Sequence, residues 1–154
     1  MESSRYRELL FQTARKVFEE AAFALVDPPE EGAGDERSEA ISVAVDFEGP
    51  FSGFLALSAE RELAVIFAAN MLGTDEDDPD ADAKCLDALK ELVNMICGNL
   101  LPAVAGMGPE FRIQAPREIS REEMVKLRKI NGTGAVEMLY VEGFSTELIF
   151  AAGE

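Results

Sequence analysis

The chain has 154 residues, 47% hydrophobic and 29% charged, the balance of a soluble globular protein. One domain spanning residues 1–154 is expected, long enough to bury a core. Thirty acidic residues against 14 basic ones leave a net charge of −16, and no basic patch offsets that field, so nucleic acid is not an expected partner. The sequence contains no histidine, which removes Ser-His-Asp and Cys-His catalysis and most zinc sites.

Arg5, Arg7, Glu8, Arg15, Lys16, Glu19 and Glu20 interrupt the N-terminal segment, so it has no signal-peptide core. No apolar run approaches the ~18 residues of a membrane span. A cytoplasmic protein with no membrane partner is the expectation. Residues 3–25 predict a first helix capped by Ser3 or Ser4, with Leu9, Leu10, Ala14, Val17, Phe18, Ala21 and Leu25 on its inner face. Asp27-Pro-Pro29 is expected to stop it. Glu30 to Arg37 reads as a polar turn.

The period then changes to two. Ile41, Val43, Val45 and Phe47 alternate with Ser42, Ala44 and Asp46, predicting a half-buried strand. Gly49-Pro50 is a turn signal, and Phe51–Ser58 completes a hairpin in which Gly53 marks either a bulge or a close backbone approach. Ser58 can cap a second helix whose inner side is Leu63, Ile66, Phe67, Asn70 and Met71, closed by Gly73. Asp78, Asp80 and Asp82 match the first three ligands of an EF-hand loop. Ala83 stands where that loop needs Gly and Leu89 where it needs Glu, so the acids are assigned to the N-terminus of the next helix.

A third helix is expected from about Asp80 to Ala105, kinked or interrupted at Pro102. Cys85 and Cys97 lie ~18 Å apart along it, out of disulfide reach, and read as reduced thiols. Four strand candidates follow: Phe111–Ala115, Met124–Ile130, Ala135–Val141 and Thr146–Ala151. Asn131-Gly-Thr-Gly134 and Gly143 mark turns. The fold class is α+β, a mostly antiparallel sheet of about six strands packed against about three helices.

The third helix holds the most informative stretch of the chain, Asp87–Asn99. With Leu86 at the zero of a helical wheel and ~100° per residue, Leu89, Val93, Ile96, Cys97, Leu100 and Val104 form a core stripe. Asp87, Glu91, Asn94 and Gly98 form a polar track beside it. Glu91 and Asn94 are neighbours at i and i+3, so a carboxylate and a carboxamide can address one target together. They are otherwise two solvated helix residues.

Phe51-Ser-Gly-Phe-Leu-Ala-Leu-Ser58 with Ala68-Ala-Asn-Met-Leu-Gly73, the helix Asp87–Asn99 with its Glu-x-x-Asn at Glu91 and Asn94, and Ile113-Gln-Ala-Pro116 resemble the CheX-type chemotaxis phosphatases, in the group that includes CheC and FliY. The resemblance spans most of the chain in order and spacing. It implies hydrolysis of the aspartyl phosphate on a CheY-like response regulator, with Asn94 orienting the attacking water and Glu91 pairing with the regulator's active-site lysine. It implies no cofactor on this chain, the Mg2+ being the regulator's. Asp87, Lys90 and Gly98 would touch the partner. Gly98 gives a partner backbone room to approach, or serves helix–helix packing. Lys90 stands where small residues are common in the family, and either pairs locally or affects docking. CheC-type relatives carry two such motifs; here no other asparagine has a glutamate three residues before it. The CheX type also implies a homodimer joined through its sheet. Two other readings stay open: a catalytically silent module that docks a regulator or a flagellar-switch component, and an unrelated scaffold.

Overall fold

The alternation of apolar residues in four segments builds a sheet, and the three- and four-residue spacing between them builds the helices that cover it. The computed structural model describes residues 2–27, 39–129 and 133–153. Its elements in chain order are α1 (Glu2–Ala21), β1 (Ala40–Glu48), β2 (Ser52–Glu60), α2 (Arg61–Leu72), α3 (Pro79–Ala83), α4 (Cys85–Ala105), β3 (Arg112–Ile113), β4 (Arg117–Ile119), α5 (Arg121–Arg128), β5 (Thr133–Val141) and β6 (Phe144–Gly153). The sheet is six-stranded and antiparallel, in the order β3-β1-β2-β6-β5, with β4 also paired to β1. Five helices accompany it among the described residues, more than the three expected.

α1 and α4 lie on one sheet face, and α2 packs beside α4. Val43, Val45, Phe47, Leu55, Leu57, Leu148 and Phe150 are buried beneath them. Phe18 of α1 stacks on Phe67 of α2 with centroids 5.1 Å apart, and Phe47 stacks on Phe150 at 5.9 Å.

Several sequence expectations need correction. α1 starts at Glu2, so Ser4 lies inside its first turn and Ser3 is helical too. It ends at Ala21, four residues before the expected Leu25. Phe23 takes a positive φ of 51°, and the Ala24 N–H returns to the Phe18 carbonyl at 3.0 Å, a turn that stops the helix before any proline. Asn70 of α2 donates from Nδ2 to the Ala22 carbonyl at 2.8 Å and so satisfies that end. Leu25, expected inside, is 69% exposed. The Glu30–Arg37 turn and the first two residues of Asn131-Gly-Thr-Gly134 lie outside the described residues.

β1 is buried on both faces rather than one, because α5 covers the second face. Met124–Ile130, expected as a strand, falls largely in that helix: the Ser120 hydroxyl accepts from the Glu123 N–H at 3.0 Å, and acids fill the first turn and bases the last. Met124 packs there with Ala44, Ala56, Ile119 and Ile149. The missing sixth strand is β4, registered against Ser42–Ala44. Ser58 lies inside β2 and accepts from the Ser42 hydroxyl at 3.0 Å, while Glu60 takes the N-cap position of α2 without a side-chain capping bond, its carboxylate accepting instead from the Ser145 N–H at 2.7 Å.

Other expectations hold. Gly73 closes α2 with φ 75° and its N–H on the Ala69 carbonyl. Gly53 pairs in unbroken register on both sides, and a Cβ there would collide with the Ala151 carbonyl, so it marks close backbone approach and no bulge. The β5–β6 turn has positive φ at both Glu142 (53°) and Gly143 (82°), the type I′ pattern that matches strand twist.

Candidate functional site

The predicted third helix is two helices. Asp78 caps α3 by accepting from the Asp80 N–H at 2.9 Å, and Pro79 follows as its first residue. The chain breaks at Lys84 (φ −105°, ψ 6°) and restarts as α4 at Cys85. Arg61 Nη2 donates to Asp82 Oδ1 at 2.9 Å, tying α2 to α3. That bond with Asp82 is the main reason the guanidinium pKa is raised above its usual value.

α4 is anchored on the core by Leu89, Leu92, Val93, Ile96 and Cys97, all buried, with Leu100 and Leu101 one turn further on. Leu86 and Val104, placed on the expected stripe, are half-buried while Leu92, off that stripe, is buried, so the inner face is rotated toward Leu92. Both thiols are buried and reduced; burial raises the Cys85 pKa and pushes that of Cys97 up to about 12. Neither is a nucleophile at neutral pH. Pro102 sits within α4 without ending it, and the helix closes at Ala105 with Gly106 beyond. Arg5 reaches the Ala103 and Val104 carbonyls at 3.4 Å each.

The opposite face carries the predicted residues. Asp87, Glu91 and Gly98 are exposed, Asn94 and Lys90 half-buried. Glu91, Asn94 and Gly98 line up over about two helical turns, so the structure brings them onto one surface. Among the described residues neither Glu91 nor Asn94 has a side-chain hydrogen bond or ion pair, which leaves the carboxylate and the carboxamide available. By contrast, the neighbouring Asn99 folds back to the Met95 carbonyl at 2.8 Å. Asp87 faces Lys84 at 4.0 Å, a loose exposed pair. Lys90 forms no ion pair among the described residues. A Cβ built on Gly98 meets nothing within 4 Å, so the packing explanation for this glycine fails.

A feature not expected from the sequence adjoins this face. Met71 and Leu72 of α2, with Ala88 of α4, floor an open depression of about 270 Å3 rimmed by Lys84, Asp87 and Glu91. Its only sequence signal is an apolar pair at the very end of α2, where the helical stripe alone does not show which neighbour it meets. Among the described residues no group of three His, Cys, Asp or Glu side chains is placed to hold a metal ion. No helix among them is long and apolar enough to cross a membrane.

Solved structures share this fold along nearly their whole length. A chain of the CheX–CheY–BeF3–Mg2+ complex from Borrelia burgdorferi superposes with a TM-score of 0.64 at 22% identity, covering 97% of this chain and 98% of that one. The chemotaxis protein CheX from Desulfovibrio desulfuricans gives 0.68 at 16% identity, covering 97% and 99%. A CheC-like superfamily protein from a Shewanella species gives 0.69 at 17% identity, covering 97% of each. No curated protein matches the chain. The profile of the family described as chemotaxis phosphatase CheX matches residues 41–137, which include all but the first residue of β1, the elements β2 to α5 and the whole Glu91/Asn94 face. The chain therefore belongs to the CheX family of chemotaxis phosphatases.

Proposed function

We propose that the protein hydrolyses the aspartyl phosphate of a CheY-like response regulator, with Asn94 and Glu91 as its whole catalytic apparatus. The observation that carries this reading is the pair itself: two functional groups on one face of a rigid helix, neither spent on an internal bond. An acyl phosphate is intrinsically reactive, and in-line displacement asks mainly for positioning and charge stabilisation. The Asn94 carboxamide accepts a hydrogen bond from the attacking water and donates another toward the phosphoryl oxygens, without titrating. Water attacks phosphorus, the bond to the aspartyl oxygen breaks, and inorganic phosphate leaves a free carboxylate on the regulator. Glu91 pairs with the regulator's active-site lysine and sets the depth at which α4 docks. Asp87, Lys90 and Gly98 lie along the same face and contact the partner around that point. The Mg2+ that neutralises the phosphoryl group belongs to the regulator.

The whole chain acts here as one unit, and as a homodimer. Among the described residues the outer edge of β5 is met only near Val141, by Val26, and Val136 and Met138 are exposed on that strand. Sedimentation at micromolar concentration checks the dimer, and a monomer refutes it.

The deciding experiment follows phosphate release from phosphorylated CheY-like receiver domains. Wild type accelerates it; Asn94→Ala loses about 10²–10³-fold in kcat. Glu91→Ala raises KM and lowers kcat as the docking depth is lost. A wild-type protein that binds the regulator without accelerating dephosphorylation refutes the enzymatic reading and leaves a silent docking module.

A further inference from the structure

We infer that the depression between α2 and α4 is a docking pocket for an apolar side chain of the regulator, one flanked by a basic residue. This inference rests on reading the Glu91/Asn94 face as the face turned to the regulator, and it names where the rest of the contact lies.

Leu72 is 49% exposed at the end of α2, and Met71 beside it is half-buried, so two large aliphatic side chains meet solvent at one place. Ala88 provides the opposite wall from α4, small enough to leave the depression open. Glu91 belongs both to the rim and to the candidate catalytic pair. A receiver domain that brings its phosphoryl group to Asn94 therefore lays further surface across the groove, because Asp87 is ~10 Å from Asn94 along the same helix. A contact limited to a carboxylate and a carboxamide has no apolar centre, and such centres carry most of the affinity at protein interfaces.

The rim decides the occupant. Asp87 and Glu91 supply two carboxylates against the single ammonium of Lys84, and the chain between α2 and α4 adds Asp75, Glu76, Asp77, Asp78, Asp80 and Asp82. An anionic lipid surface is repelled by that field. A second copy of this chain would set acidic rim against acidic rim, since a two-fold contact presents the same patch twice. An apolar side chain with a cationic neighbour satisfies floor and rim together.

The test uses the full chain and CheY-like receiver domains trapped with beryllofluoride and Mg2+, so that affinity is read independently of hydrolysis. Leu72→Glu places a charge in the groove at an exposed position and leaves the fold and melting temperature unchanged. It raises the dissociation constant about tenfold, the scale expected for losing burial of half a leucine. In turnover, KM rises by the same factor and kcat stays within twofold, whereas Asn94→Ala shows the reverse split. Leu72→Met restores wild-type affinity. An unchanged dissociation constant in Leu72→Glu overturns the inference even when Asn94→Ala is inactive. Weakened binding in Leu72→Glu beside a fully active Asn94→Ala keeps the pocket and overturns the catalytic reading. A change of oligomeric state in Leu72→Glu without any change in regulator affinity assigns the groove to a second copy and overturns the inference.

Discussion

Replacing Gly98 by alanine separates the stability of α4 from its use as a contact surface. Glycine in a helix interior is about 0.8–1.0 kcal/mol less favourable than alanine. Packing charges nothing against that gain, because the added Cβ meets no atom within 4 Å. Gly98 lies inside α4 with a helical backbone and no positive φ, so no strain enters either. Gly98→Ala is thus expected to stabilise the protein by about 1 kcal/mol and to raise its melting temperature by about 2–4 °C for a domain of this size. The same methyl group stands on the track of Glu91 and Asn94, where a regulator backbone would approach. An extra methyl in a close-packed contact costs about 1–3 kcal/mol. The catalytic efficiency should then fall about 5- to 150-fold, a loss in a protein that has become more stable. Calorimetry and steady-state phosphate release on the same preparation measure both quantities. A lowered melting temperature refutes the reasoning about open space. A raised melting temperature with unchanged efficiency removes Gly98 from the contact face.

Asn94→Asp keeps the shape of the side chain but adds a negative charge where phosphoryl oxygens would lie. It should fold normally and lose at least a hundredfold in kcat, checked by phosphate release. Glu91→Gln keeps the hydrogen-bonding outline and deletes the charge, so affinity for the trapped regulator should weaken and depend less on salt; an unchanged salt slope counts against a lysine partner. Ser120→Ala removes the bond to the Glu123 N–H and should cost about 1 kcal/mol in urea unfolding, with hydrolysis unaffected. For Cys97 the folded thiol pKa is raised to about 12 by burial, against an ordinary value of 9.0. Below the ordinary value both states are protonated and stability is complete. Above it the unfolded thiol ionises first, so stability falls by up to about 1.4 kcal/mol per pH unit until the folded value is reached. Cys97→Ala should lose that component of the slope between pH 9 and 11, and equal slopes in the two proteins refute the assignment.

The four long strands of the sheet and the exposed face of α4 were legible in the sequence for one reason: both depend on local period. Val43, Val45 and Phe47 alternate, and Leu89, Val93 and Ile96 recur at helical spacing, whatever lies around them. The side of α4 bearing Glu91 and Asn94 followed from the same wheel, once the apolar stripe was placed. What was misread depends on short-range hydrogen bonds or on long-range neighbours. The α3–α4 break at Lys84 rests on the Asp78 cap and the Arg61–Asp82 bond, neither visible as a change of period. The run Met124–Ile130 has enough apolar residues for a strand, and the cap that makes it helical lies upstream at Ser120. The consequence reaches β1, since α5 is what covers Ala44 on its second face. The end of α1 required Asn70, nearly fifty residues later, to satisfy the Ala22 carbonyl. The groove beside Glu91 required knowing that the end of α2 meets α4.

The two faces of α4 suit the hydrolytic role proposed for this chain, which has no histidine. Leu89, Leu92, Val93 and Ile96 have no solvent exposure, so the helix backbone is fixed by a close-packed core on one side. The separation of Glu91 and Asn94 is then set by helix geometry and does not depend on a loop. Catalysis by positioning gains from that rigidity, because a reacting water misplaced by about 1 Å forfeits much of the advantage. A reaction that needed a nucleophile or a proton shuttle would ask for groups with displaced pKa values on this surface. The thiols that are displaced face inward and are less reactive for it. In the proposed reaction the division of labour follows from chemistry: the substrate partner would supply the labile bond and its metal ion, and this chain a carboxamide held still. The fold therefore places its rigidity beneath α4 and leaves the outer track open, which is why the least bulky residue on that track, Gly98, is the sharpest probe of what docks there.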